Sequence, residues 1–498
     1  MILRDLAAKL TRVTVAGSLD QELSAVTDDS RKAGAGILFV AVRGEVVDGH
    51  DYIDKALEAG STVIVAEHAQ PRNFSTDVTW LHVPDSRYVL AVFASAFNGD
   101  AWKDMAVAGV TGTNGKTTTA FLVHHLMKSQ WHRAGLLGTV TVDDGETEVA
   151  ATSTTPGSLE LQNLLGRMRD HGCRGVSMEV SSHGIDQQRI ASLGFDAAIF
   201  TNLTQDHLDY HGTMERYFEA KKSWFDKLAD NPLGKKPVAV INVDDAHGLE
   251  IAESLEGKLP VYRFGFGVHT DFRANNLKQS ARGMEFELTA KGKSFLVRAP
   301  LIGRFNVYNL LGAIAAASAC GIRPRESVAA IAEAPQVPGR MENIGHAGGA
   351  TVFVDYAHTP DALENACRTL RELNPRRLIT VFGCGGDRDR AKRPLMGAAA
   401  AQGSDICIIT SDNPRSEEPM AIIQEIEKGM GGATYKVIAD REEAISSVIK
   451  AARAGDIVLI AGKGHETYQQ FADRTIDFDD RKHAWKALRE RSETAERP

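Results

Sequence analysis

Val107-Ala108-Gly109-Val110-Thr111-Gly112-Thr113-Asn114-Gly115-Lys116-Thr117-Thr118 runs a short apolar strand into a glycine-rich turn, which opens the helical stretch Ala120–Lys128. Strand, turn, Lys-Thr and helix in that order are what a triphosphate site requires. Glycines let backbone N–H groups face phosphate, and the helix N-terminus adds roughly half a positive charge. Lys116 then reaches the β- and γ-phosphates, and the Thr117 hydroxyl is placed for magnesium. The match to G-x-x-x-x-G-K-[ST] is imperfect: Val110 stands where the first glycine belongs, and Gly109 comes one residue early. A strand-to-helix turn that merely favours glycine is the competing reading.

Outward from this loop, β-branched runs alternate with helical-period stretches, the pattern of α/β domains with largely parallel sheets. At 498 residues the chain exceeds one hydrophobic core, and about 150 residues per domain suggests three. The expected domains are 1–98, 99–337 and 338–498, with Pro335, Pro338 and Gly339 marking the last linker. The first holds strands at Ile37–Val42 and Thr62–Ala66 around a helix at Tyr52–Ala59, then a helix at Arg87–Phe97. The second holds strands at Met105–Val110, Val176–Val180, Ala197–Thr201 and Val238–Asn242, and ends in a helix at Asn309–Cys320. In the third, four predicted strands each run into a polar or glycine-rich cluster: Asp355–His358, Gly383–Arg388, Ser411–Arg415 and Gly462–Glu466. Open parallel sheets bind ligands beyond the carboxyl ends of their strands, so four clusters on one edge would make one site.

Bulk properties exclude several classes. Hydrophobic residues at 43% and charged residues at 24% fit a soluble globular protein, and a net charge of -8 argues against nucleic acid as main partner. Five scattered cysteines without C-x-x-C or zinc spacing suit a reducing compartment. Asp5 interrupts the only apolar stretch at the N-terminus, and the run Leu310–Cys320 is too short for a membrane helix. A cytoplasmic chain with no membrane insertion is expected.

Three further features bear on chemistry. Glu179 lies near the end of a strand, a usual place for a magnesium ligand, though a carboxylate there serves equally as a cap for the next turn. Asn202–His211 collects ligand-type side chains, His207 among them, at another strand terminus. In the helix Met214–Leu228, at roughly 100° per residue, Lys221 falls at the centre of an apolar arc made by Met214, Tyr217, Phe218, Trp224, Phe225 and Leu228, with Lys222 at its edge. An arc that partly faces a solvated cleft explains this as well as a lysine that something neutralises or uses.

Taken together these stretches resemble the Mur ligase family, and within it the UDP-N-acetylmuramoyl-tripeptide synthetases. The likeness rests on Thr111–Thr118, Thr154-Thr155-Pro156, Met178–His183, Thr201–Gly212, Gly303–Leu311, Pro338–Glu342, Asp355–Pro360, Gly383–Arg388, Asp412–Arg415 and Gly462–Glu466. It covers nearly the whole chain, and the family's own loop has the Thr-Gly-Thr-Asn-Gly-Lys-Thr form. The resemblance implies an N-terminal UDP-binding domain, a central P-loop ATPase domain and a C-terminal Rossmann-like domain. It implies an ATP-dependent ligase of peptidoglycan precursor synthesis, acting as a monomer, that adds meso-2,6-diaminopimelate to UDP-N-acetylmuramoyl-L-alanyl-D-glutamate through an acyl phosphate.

By the same carry-over, Lys116, Glu179, His207 and Lys221 are catalytic, and Thr117, Glu179, His207 and a carbamylated Lys221 hold Mg2+. Gly112, Thr113, Asn114, Gly115, Lys116, Thr117, Thr118, Asn306, Asn309, Arg340 and Asp355 contact ATP. Ser30, Thr154, Thr155, Ser181, Gln187 and Arg189 hold the UDP-muramoyl-dipeptide. Arg388, Asp412, Asn413, Pro414, Arg415, Gly462 and Glu466 hold diaminopimelate, with Arg415 as the guanidinium for its distal carboxylate. Glu45-Val46 departs from the polar residues usual in the uridine loop. The rivals are an L-lysine-adding homologue, a folylpolyglutamate-type ligase, a P-loop switch or motor, and a UDP-sugar-binding protein without catalysis. No Asn-Lys dipeptide occurs, so the guanine-reading signature of switch GTPases is absent.

Overall fold

The chain was analysed as a computed structural model, which describes residues 1–71 and 77–495. It divides into two compact units, Met1–Arg273 with Tyr308–Ser327, and Ala274–Val307 with Val328–Pro498.

The first unit contains two sheets. The N-terminal one runs in the order Thr14–Ala16, Thr79–His82, Val63–Ala66, Ile37–Val40, Ala25–Thr27, parallel except for its first edge strand. Every residue of Val63–Ala66 is buried, as a central strand covered on both faces demands. Leu38, Val40, Val63, Val65, Leu81 and Phe93 form one core of this sheet, and Phe39, Ile53, Ile64 and Trp80 the other.

The second sheet carries the glycine-rich loop. Its parallel strands follow the order Val261–Gly265, Val238–Asn242, Ala197–Phe200, Ala106–Thr111, Gly175–Glu179, Gly135–Leu137, with Thr141–Asp143 and Glu148–Ala150 added antiparallel at one edge. Ala106–Thr111 is thus flanked by Gly175–Glu179 and Ala197–Phe200, in register Val110↔Glu179 and Thr111↔Phe200. That register brings Glu179 and the segment after Phe200 beside the loop. Gly109 has a packing cause: a Cβ there would lie 2.7 Å from the Phe195 ring and 2.8 Å from the Trp224 ring. It admits two aromatic side chains to the strand and plays no part in the phosphate turn.

In the second unit, Gly283–Ala290 pairs antiparallel with Lys293–Ala299. A six-stranded sheet has the order Glu342–Ala347, Ala350–Asp355, Asp456–Ala461, Arg377–Phe382, Ile406–Ile409, Tyr435–Val437, antiparallel only at its first pair. The parallel registers Asp355↔Ala461 and Phe382↔Ile409 put all four expected clusters on the same carboxyl edge. Phe353, Leu378, Phe382, Ile409 and Leu459 fill one face, and Val352, Val381, Ile445 and Val458 the other.

Strand positions follow the sequence reading to within a residue or two. Two helices do not: Lys116–Trp131 opens four residues before the expected Ala120, and Arg304–Ala319 begins well before the expected Asn309, with the boundary between the units inside it. Phe305, Val307 and Tyr308 are weak helix formers, and they masked its first turns. All five cysteines are free. No described helix is long and apolar enough to cross a membrane.

Candidate active site

Gly112 and Gly115 shape the phosphate loop. Both have positive φ, 144° and 84°. A Cβ on Gly112 would lie 1.9 Å from Thr201 Oγ1, and one on Gly115 would lie 2.3 Å from Asn309 Oδ1. The loop is tied to the next strand end. Thr113 N donates to Asn202 O (2.8 Å) and Asn114 N to Asn202 Oδ1 (3.0 Å), while Thr201 Oγ1 donates to Asn114 O (2.6 Å). Thr113 Oγ1 meets Thr204 O at 3.1 Å and the Tyr217 hydroxyl at 3.2 Å. The helix opens at Lys116 and runs to Trp131, with Thr117 and Thr118 buried in its first turn. Lys116 Nζ folds back onto Gly112 O (2.9 Å) and Thr113 O (2.8 Å), centring its charge on the loop.

Glu179 is buried and turned to the loop. Its Oε2 accepts from Thr117 Oγ1 (3.1 Å) and Thr139 Oγ1 (3.2 Å), and its Oε1 from Thr139 N (2.7 Å). A hydroxyl and a carboxylate side by side are hard oxygen donors of the kind magnesium takes. Thr139 escaped the sequence reading because a lone threonine between short strands carries no signal.

Lys221 lies in the helix Met214–Asp230, whose buried residues are Tyr217, Phe218, Lys221, Trp224, Phe225 and Leu228. Its residual exposure is 1%, so of the two sequence readings the solvated arc fails. The amine donates to Gly112 O (3.1 Å) and sits 4.5 Å from the centre of the Tyr217 ring. Burial first, and Lys116 second, push its pKa well below the usual lysine value. That shift is toward the neutral amine. Lys222 behaves as expected of an edge residue, with Nζ 3.2 Å from Asp226 Oδ2.

His207 adopts left-handed φ (52°) just before the short helix Leu208–His211. Its ring stands 5.1 Å from that of His183 and 5.9 Å from that of Tyr217. Burial, partly offset by Asp206, lowers its pKa and keeps a lone pair available. Among the described residues no three His, Cys, Asp or Glu side chains converge as a metal cage. Thr117 and Glu179 are in contact and could serve as magnesium donors, and His207 lies apart from them against His183 and Tyr217.

Five of the six residues expected to hold the UDP-muramoyl substrate, all but Ser30, form a connected strip. Thr139 Oγ1 lies 3.0 Å from Thr154 Oγ1, and Thr155 Oγ1 donates to Glu179 O (2.9 Å) or Ser181 Oγ (3.1 Å). Arg189 reaches Thr155 O (2.6 Å) and Gln187 Oε1 (2.6 Å), and Gln187 Nε2 reaches Glu45 Oε1 at 2.5 Å. The unusual Glu45 is thus anchored, while Val46 beside it is 95% exposed. Ser30 opens a short 3-10 turn capped by Asp29, and no bond among the described residues joins it to this strip.

Asn309 Oδ1 accepts from Thr119 Oγ1 (3.3 Å), and Asn306 Nδ2 donates to Ile302 O (2.8 Å). Asp355 Oδ2 accepts from Met341 N at 2.6 Å, and the Arg340 guanidinium lies 4.9 Å over the Tyr356 ring. Arg340 Nε is buried without a hydrogen bond. His465, against Tyr356 at 4.9 Å, is pulled down to about 4, chiefly by burial, and is neutral.

At the carboxyl edge of the six-stranded sheet, Arg415 Nη1 donates to Gly386 O (2.7 Å), which joins two of the four clusters. Arg388 is exposed. Asn413 is used within the protein: its Nδ2 donates to Glu466 Oε2 (2.9 Å) and its Oδ1 accepts from Gln470 N (3.0 Å). Beneath lie cations that the sequence reading missed. Buried Arg441 pairs with Asp480 and donates to Ser411 O (3.3 Å) and Ala461 O (3.0 Å), capping two strand ends. Buried Arg393 pairs with Glu417 (2.6 Å) and Glu425 (2.8 Å). Their partners lie 24 to 39 residues away in sequence, so no local pattern reveals them.

Three family models match the chain: "Mur ligase family, catalytic domain" over residues 22–98, "Mur ligase middle domain" over 110–317, and "Mur ligase, glutamate ligase domain" over 339–464. A protein of Geobacillus thermodenitrificans is 44% identical over 494 residues, covering 99% of this chain and 100% of its own. One of Syntrophomonas wolfei is 43% identical over 494 residues, covering 98% and 99%. Both bear the name UDP-N-acetylmuramoyl-L-alanyl-D-glutamate–2,6-diaminopimelate ligase. A solved structure of a ligase of that name superposes with a TM-score of 0.75 at 34% identity, covering 98% of this chain and 99% of its own. Mycobacterium tuberculosis folylpolyglutamate synthase, at 20% identity and a TM-score of 0.61 over 75% of this chain and 92% of its own, shares the fold. The chain belongs to the Mur ligase family.

Proposed function

We propose that the chain is an ATP-dependent ligase that joins meso-2,6-diaminopimelate to UDP-N-acetylmuramoyl-L-alanyl-D-glutamate, in the cytoplasm and as a monomer. The carrying observation is end-to-end likeness, at 44% identity, to a ligase with those two substrates in its name. In this reading residues 1–98 take the UDP-muramoyl substrate with Ser30, residues 99–337 take ATP, and residues 338–498 take the amino acid.

The γ-carboxylate of D-glutamate attacks the γ-phosphate of ATP, releasing ADP and forming an acyl phosphate. The diaminopimelate amine then attacks the acyl carbon, and a tetrahedral intermediate collapses with loss of phosphate and a proton. Two like unit charges about 4 Å apart repel by about 4 kcal/mol at an effective dielectric near 20, so the first step needs cations at the loop. Lys116, held at 2.8–2.9 Å by the loop carbonyls, supplies one. Magnesium, when bound, neutralises phosphate charge, and Thr117, Glu179 and His207 would hold it. The buried Lys221 amine adds CO2, losing a proton, and the resulting carbamate completes the anionic set. Asn306, Asn309, Arg340 and Asp355 bind the rest of ATP; Thr154, Thr155, Ser181, Gln187 and Arg189 align the dipeptide.

Arg415 favours diaminopimelate over L-lysine: after its bond to Gly386 O the guanidinium keeps N–H groups for a second carboxylate. Phosphate release should require ATP, magnesium, the UDP-muramoyl-dipeptide and diaminopimelate together. Equal release with no amino acid would contradict the ligase reading, and equal release with lysine would contradict the specificity.

A further inference from the structure

Among the described residues the buried lysines are Lys221 and Lys463. Lys463 has no part in the reaction as described so far. It follows the strand Asp456–Ala461, between two glycines with positive φ, Gly462 (116°) and Gly464 (53°). A Cβ on Gly464 would lie 2.6 Å from Tyr356 Cβ, and one on Gly462 would lie 3.0 Å from Asp412 Oδ2. The Gly-Lys-Gly segment thus passes tightly between two of the clusters, with the lysine side chain fully enclosed.

An ammonium has three N–H donors and no acceptor. Lys463 Nζ meets three oxygens, Asn413 Oδ1 at 3.0 Å, Glu466 Oε2 at 3.2 Å and Asp412 Oδ1 at 3.5 Å. These bonds decide how its neighbours face. The Asn413 oxygen faces Lys463 together with Gln470 N, which sends Nδ2 to Glu466 Oε2 at 2.9 Å. One oxygen of each carboxylate is occupied, and Asp412 Oδ2 and Glu466 Oε1 are left without a hydrogen bond among the described residues. The two carboxylates share Lys463 through their other oxygens, at 3.5 and 3.2 Å, and two carboxylate oxygens left in that state suit an incoming ammonium group.

We propose that Lys463 is the positioning residue for the incoming amino acid: it fixes Asp412, Asn413 and Glu466 so that one oxygen of each carboxylate receives a substrate ammonium. This rests on the assignment above of the Asp412–Arg415 and Gly462–Glu466 clusters to the amino acid. Without the cation, Asp412 Oδ1 loses its hydrogen bond, Asn413 Oδ1 keeps only Gln470 N and Glu466 Oε2 only Asn413 Nδ2; the two carboxylates then lack the charge that holds them together, and the receiving oxygens lose their aim.

The test is steady-state kinetics of the full chain carrying Lys463→Met, with each substrate varied in turn. The KM for diaminopimelate should rise about 30-fold or more, with KM for ATP and for the UDP-muramoyl-dipeptide unchanged. A purely structural lysine would instead lower kcat and move all three KM values together, which overturns the proposal, as does a diaminopimelate KM within about twofold of wild type. Lys463→Gln, which keeps a donor and loses the charge, should show the same selective rise if the methionine variant does not fold. If neither variant folds, the lysine is a stability residue and the proposal is wrong. Wild-type chain inactive with every amino acid would overturn the reading of the site and this inference with it; active wild type with an unmoved KM in the variants overturns the inference alone.

Discussion

Lys221→Ala is expected to slow ligase turnover by about a thousandfold, a loss of roughly 4 kcal/mol of transition-state stabilisation. The amine is buried 4.5 Å from the centre of the Tyr217 ring, is held by a single protein hydrogen bond to Gly112 O at 3.1 Å, and is shifted toward neutrality. A buried ammonium with one carbonyl partner is poorly compensated. A neutral amine in the same place is well suited to take up CO2, and on the proposed reading the carbamate would add a negative charge to Thr117, Glu179 and His207 as magnesium donors. Two further measurements separate this from a lysine that only pins the loop. Lys221→Met keeps most of the volume and would restore a packing role, yet it should be as inactive as the alanine variant. Acetate added to Lys221→Ala should recover part of the turnover by standing in for the carbamate. A methionine variant within about tenfold of wild type would contradict the assignment.

Arg415→Ala should lower kcat/KM for diaminopimelate by about a hundredfold or more, the usual consequence of leaving one member of an enclosed charge pair unpartnered. The KM for ATP should not change. Arg415 is placed for this by its own backbone, in left-handed conformation at φ 51°, and by its bond to Gly386 O. Alanine keeps the same backbone cost, so the comparison isolates the guanidinium. Arg415→Lys keeps the charge without the planar fork and should fall between the two. With L-lysine, which has no distal carboxylate, all three chains should behave alike. Unchanged diaminopimelate kinetics in the alanine variant would remove Arg415 from the specificity pocket.

The elements that position the chemistry were legible where chemistry is local. The 3.6-residue period placed Lys221 at the centre of its arc, and the structure encloses it there with Lys222 at the edge. Alternation of strands and helices placed four polar clusters at the ends of parallel strands, and the register shows them on one edge. What could not be read is what arises only when distant segments meet. Thr139 orients Glu179 across 40 residues, and Lys463 gathers Asp412 and Asn413 across 50 or more. Arg441 and Asp480 form a pair 39 residues apart. Asn413 illustrates the difference: by motif it is a ligand contact, whereas its amide is bonded to Glu466, Lys463 and Gln470 within the protein. The late start assigned to the helix Arg304–Ala319 has a local origin instead, the weak helix formers Phe305, Val307 and Tyr308 in its first turns.

The central claim is that the loop at Gly112–Thr118 transfers phosphate to a carboxylate before any amide bond forms. Its most direct test is turnover with UDP-muramoyl-dipeptide carrying 18O in both oxygens of the D-glutamate γ-carboxylate, followed by mass analysis of the phosphate released. The account predicts one 18O in each phosphate and one retained in the new amide. Phosphate free of 18O, formed at the same rate as product, would contradict it.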